Sequence, residues 1–110
     1  MNDKSKTVLL YTLAHARAGD KGDRCSINVI AYNRTSWPVL VEQVTVEKVT
    51  ALFSNRTPTA VARYLLPKLA AMNFVLDGVL DGGVNDSLNL DTHGKTLSSL
   101  MLTLPVVMPK

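Results

Sequence analysis

The apolar residues of this 110-residue chain arrive in short runs of strand length, each cut off by Gly, Pro or charge. Val8–Leu13 is one such run, Ser26–Tyr32 with Ile27, Val29 and Ile30 is a second, and Val61–Leu66, stopped by Pro67, is a third. Near the end Leu100, Leu102, Leu104, Val106 and Met108 alternate with their neighbours, which is the mark of a strand with one buried face. Strands this short must bury that face against a second layer. None of the runs approaches the ~20 apolar residues of a membrane span.

Helical periodicity fills the gaps between these runs. Trp37, Leu40, Val41 and Val44 fall at i, i+3, i+4 and i+7, with Pro38 suited to a first turn. Thr45 is placed to cap a second helical piece carrying Val46, Val49, Leu52 and Phe53. Leu69, Met72, Val75, Leu76 and Val79 predict a further helix, ended by Gly78, Gly82 and Gly83. The chain from Lys95 starts helically before the closing alternation. The expected fold is therefore a two-layer α/β or α+β sandwich of about four strands packed against two to three helices, in one domain spanning residues 1–110.

Composition agrees with one compact unit and removes several function classes. Hydrophobic residues make up 46% and charged residues 19%, so the chain is globular and not disordered. A domain of this size buries roughly two-thirds of its unfolded surface and needs no staple. Cys25 is the only cysteine, which excludes an internal disulfide and a thiolate cluster. The net charge of +3 is scattered, with no Lys/Arg stripe to neutralise successive phosphates, so nucleic acid is not an expected partner. Lys4 and Lys6 before Val8–Ala14, with Ala14-His15-Ala16, mimic a signal peptide, but the apolar stretch is short and reads better as the first strand. A cytoplasmic protein follows, in which the sequons at Asn33, Asn55 and Asn85 have no consequence.

Two polar segments stand out as candidate sites. Arg17-Ala18-Gly19-Asp20-Lys21-Gly22-Asp23-Arg24 follows a strand, the place where α/β sheets put ligands. Its glycines let backbone approach a ligand, and Arg17 and Lys21 can hold a carboxylate or phosphate, although many such segments are ordinary solvated turns. The second runs from Asp81-Gly82-Gly83 to Asp91-Thr92-His93-Gly94-Lys95-Thr96, delivering Lys95 and Thr96 to a helix start. Asp91 is as well suited to capping that helix as to binding.

Gly94-Lys95-Thr96 is not a nucleotide-binding P-loop, because Asn89 stands where the first Gly is required. A calcium loop from Asn89 fails too, since Leu100 replaces the bidentate Glu. His15 and His93 show no ligand spacing, so no metal is expected. Asp20, Asp23 and Asp91 are chemically able to act as acids or bases, but nothing brings them together, and no catalytic residue is assigned.

The same segments carry a family resemblance. Gly19-Asp20-Lys21-Gly22-Asp23 followed by Ser26-Ile27-Asn28-Val29-Ile30-Ala31 resembles the motif that opens the C-terminal domain of AtuA-type acyclic terpene utilisation proteins. Leu66-Pro67, Met72-Asn73-Phe74-Val75-Leu76, Gly82-Gly83, Ser87-Leu88 and Leu90-Asp91 leading to Gly94-Lys95-Thr96-Leu97 are similar in the same order. The resemblance implies a ferredoxin-like fold of order βαββαβ, which differs from the two strands, helix, strand, helix, strand read from the periodicity. It also implies a link to acyl-CoA or organic-acid steps of terpene catabolism; apart from the resemblance, no cofactor is expected. Larger members carry a separate N-terminal domain that this sequence does not contain.

Three functions are compatible with these features. The first is an accessory subunit or binding module joined to a larger partner of the AtuA N-terminal type, which requires an exposed apolar patch. The second is a small homo-oligomeric enzyme or ligand-binding protein with a carboxylate or coenzyme A phosphate site between segments 17–24 and 82–96. The third is a dimerisation domain whose glycines only make turns.

Overall fold

A computed structural model describes residues 6–21, 24–54, 58–78 and 95–108, with the side chains of residues 20, 21, 95 and 96 excepted. Six strands and three α-helices occur among these residues. They are β1 (Lys6–Leu9), β2 (Ala14–Lys21), β3 (Arg24–Ala31), α1 (Trp37–Gln43), α2 (Val46–Leu52), β4 (Ala60–Leu66), β5 (Ala71–Asp77), α3 (Lys95–Met101) and β6 (Pro105–Met108). Strands β2-β3-β5-β4 form an antiparallel four-stranded sheet, while β1 and β6 pair in a separate two-stranded ribbon. All three helices lie on one face of the larger sheet, which makes the two-layer α+β sandwich expected from the sequence.

The helix predicted over Leu69–Val79 is instead strand β5. Met72, Phe74 and Leu76 alternate on its buried side, and all three are fully buried. Leu69, Val75 and Leu76 fit a helical period only by coincidence of spacing. Leu69 is in fact exposed, in a 3-10 turn over Pro67–Leu69 that ends at Ala70 with φ of 50°. A seven-residue apolar segment satisfies either period, and pairing with β3 and β4 decides between them. The correction makes the order from β3 onward β3-α1α2-β4-β5-α3-β6, which is the βαββαβ order of a ferredoxin-like fold. One departure remains: β6 leaves the sheet to pair with β1, and β2 lies beside β3.

Three other boundaries differ from the periodicity, the closing strand among them: Leu100 still belongs to α3, and only Pro105–Met108 of the alternating run is strand. The first run splits, because β1 ends at Leu9 and Leu10–Thr12 forms a 3-10 turn whose Leu10 is buried in the core. Segment 17–24 is mostly strand, since β2 continues through Lys21 and β3 begins at Arg24 in register with it. Ala14, Ala16 and Ala18 turn towards the helices on every second residue, and that alternation keeps the segment in the sheet despite its charges.

The core forms where Cys25, Ile27 and Val29 of β3 and Met72, Phe74 and Leu76 of β5 meet the helices. Leu40, Val44, Val49 and Phe53 come from α1, α2 and the residues that close them, and Leu97 and Met101 come from α3. Thr45 caps α2 as expected, its side chain accepting from the Lys48 N–H at 3.2 Å.

Arg63 points inward from the edge strand β4 and donates through Nη1 to the carbonyls of Val41 and Val44, at 2.9 and 2.7 Å. These are carbonyls of the α1 C-terminus, where a cation also opposes the helix dipole. Arg63→Met keeps the stem but strands both carbonyls. It should lower stability by about 1–3 kcal/mol in urea unfolding, with Arg63→Lys intermediate.

Candidate functional site: the open face of the sheet

No described helix or strand covers the second face of the four-stranded sheet, and its side chains follow from the register. One cross-strand row is His15, Ile30, Ala71 and Leu66, and the next is Arg17, Asn28, Asn73 and Tyr64. Beyond these lie Gly19, Ser26, Val75 and Ala62, then a row containing Arg24 and Asp77. The parity is confirmed by Arg63, whose neighbour Tyr64 must face away from the helices that Arg63 contacts.

Asparagine is depleted in strands, yet the two central strands place one each at the middle of this face. The cost is offset by pairing: Asn73 Nδ2 donates to Asn28 Oδ1 at 2.8 Å and to Ser26 Oγ at 2.9 Å. At one end His15 and Tyr32 stack with ring centroids 5.4 Å apart. At the other, Arg24 Nε donates to Asp77 Oδ1 at 2.6 Å in an exposed pair, worth little to stability in water. Arg17 is exposed and makes no hydrogen bond or ion pair among the described residues.

Tyr32, Tyr64, Leu66 and Leu69 are 64%, 56%, 39% and 66% exposed, so aromatic and apolar surface gathers at the β3 and β4–β5 end. Among the described residues this face carries Asn73 hydrogen-bonded to Asn28 and Ser26 at its centre, the exposed Arg17 on β2, and Tyr32 and Tyr64 towards one end. Such a surface suits contact over a broad area.

The sequence-derived site residues divide into three groups. Arg17 and Gly19 lie on the open face, where nothing stands within 4 Å of a side chain built at Gly19. Asp20 and Lys21 have their backbone in β2, paired with Cys25 and Arg24, and Lys95 and Thr96 open α3. Gly22, Asp23, Gly82, Gly83, Asp91 and Gly94 lie outside the described residues. Helix α3 packs on β2, so the segments carrying Lys95 and Lys21 are neighbours, but Arg17 is on the opposite face from that helix. Cys25 is fully buried beneath α3 and the other helices, and His15 is occupied by its stack on Tyr32. Among the described residues no three His, Cys, Asp or Glu side chains gather to hold a metal. None of the described helices is long and apolar enough to cross a membrane.

Tyr32, Tyr64, Leu66, Asn28 and Asn73 escaped the sequence reading as surface residues. Their signal was parity: once β5 is a strand, Asn73 and Asn28 share a face in register. Asn73→Ala should cost about 1 kcal/mol in chemical denaturation, since it deletes two hydrogen bonds on a half-exposed surface.

No curated protein and no solved structure matches the chain significantly. A family model does, the AtuA ferredoxin-like domain, over residues 8–107. That match spans nearly all of β1 through β6, and with the βαββαβ order it agrees with the resemblance carried by segment 19–31 and the stretch from Leu66 to Leu97. The chain belongs to the AtuA ferredoxin-like domain family.

Proposed function

We propose that this domain is a binding module that works docked on a larger partner protein in acyl-CoA or organic-acid catabolism of the terpene type. The observation that carries the proposal is the open sheet face with Tyr32, Tyr64 and Leu66 exposed towards one end. Isolated exposed apolar residues are normal on any protein, but Tyr32, Tyr64 and Leu66 beside Arg17 and the Asn28–Asn73 pair match the composition of contact surfaces. Aromatic side chains supply much of the affinity at such surfaces because they bury large area at low entropic cost. Family membership supports the metabolic setting. The larger partner is of the AtuA N-terminal type, which accompanies this kind of domain in the bigger proteins it resembles.

The double variant Tyr64→Glu, Leu66→Glu tests the face directly. Both residues are exposed, so the melting temperature should stay within a few degrees of the parent. Binding to the large partner, measured by native mass spectrometry and interferometry, should weaken by at least tenfold. A complex that survives both charges would show that docking uses another surface.

A further inference from the structure

A groove of about 560 Å³ runs between α2 and the β1–β6 ribbon, on a different part of the molecule from the open sheet face. Its walls are Ala51 and Leu52 of α2 and Leu104, Pro105 and Val107 of the ribbon and its approach, so they are predominantly apolar. Among the described residues that line it, Lys48 is the one with a charged side chain. The Lys48 ammonium has no hydrogen bond or ion pair among the described residues. The groove is an open trough, so a ligand in it would lie along its apolar wall with one side in solvent.

The side chain of Gln43 restricts what this groove can take. Its Oε1 accepts from the Val107 N–H at 2.7 Å and its Nε2 donates to the Val107 carbonyl at 2.6 Å. The carboxamide thus mimics one residue of a neighbouring strand and uses up the outward backbone groups of β6 at that position. A peptide cannot add to β6 there without displacing Gln43, which removes the commonest way for a chain to occupy a strand edge. What remains is an apolar trough with Lys48 beside it.

We propose that this groove is a binding site for a small amphipathic monocarboxylate. The hydrocarbon part lies along Ala51, Leu52, Leu104 and Val107, and the carboxylate meets Lys48. One lysine balances one negative charge, and among the described residues no arginine or second cation lines the groove to favour a phosphate. The site does not depend on the docking role of the sheet face, and the two fail separately.

The test is an amide NMR titration of the full chain with decanoate, held below its micelle-forming concentration, beside decanol as the uncharged counterpart. Decanoate should shift amides around Lys48–Leu52 and Leu104–Val107, and decanol should bind at least tenfold more weakly. Lys48→Gln should bring decanoate down to the level of decanol, and Ala51→Trp, an exposed helix position that fills the groove, should abolish both. Tyr64→Glu should leave the titration unchanged. Shifts centred elsewhere, equal binding of decanol, or undiminished binding by Lys48→Gln would overturn the proposal.

Discussion

The antiparallel pairing of β3 with β5 is the contact on which the rest of this structure depends. It aligns Cys25 with Leu76, Ile27 with Phe74 and Val29 with Met72, so six fully buried side chains form one continuous apolar surface. The helices share one core with that surface, and β2 and β4 are added at its two sides. The two strands lie more than forty residues apart in sequence, with α1, α2 and β4 between them. Closing that loop costs entropy before the apolar contacts return it, and burial of Phe74 and its neighbours must supply the difference.

Because β3 and β5 are central, their alternate residues set the character of both faces. The inward set builds the core. The outward set includes Asn28, Ser26 and Asn73, joined by two hydrogen bonds that Asn73 Nδ2 donates. A one-residue slip of either strand would exchange these sets and bury the amides, so hydrophobic burial and these hydrogen bonds specify the same register. The exposed aromatics then fall at the sheet end where β3 leaves and the β4–β5 turn begins.

The ribbon of β1 and β6 is too small to be stable alone and is held by what it touches. Leu10, Leu104 and Val106 insert into the common core, while Gln43 fastens the outer edge of β6 to the end of α1. Arg63 fastens the same helix to β4 through its last carbonyls. Two side chains thereby tie α1 to both sheets, and the groove beside Lys48 lies where the ribbon and α2 come together. The contact face and the groove are thus products of one arrangement: helices on one side of the sheet, and β6 diverted from it.

Local pattern and chemistry decided much of this in the sequence itself. The apolar alternation in Ser26–Tyr32 and Val61–Leu66, the Thr45 cap, the helical spacing from Trp37 to Val44 and the ordered motifs from Gly19 to Leu97 depend only on neighbours in the chain. They sufficed for the two-layer fold and the family. Other features were decided only by long-range pairing. Residues 71–77 satisfy both a helical and a strand period, and β3 and β4 on either side select the strand. The polar segment 17–21 looked like a loop until β3 paired with it, and Gln43 and Arg63 gained their roles from backbone groups of distant elements. The open face was not legible because exposure belongs to the assembled sheet: Tyr64 and Leu66 are surface residues only because the helices chose the other side.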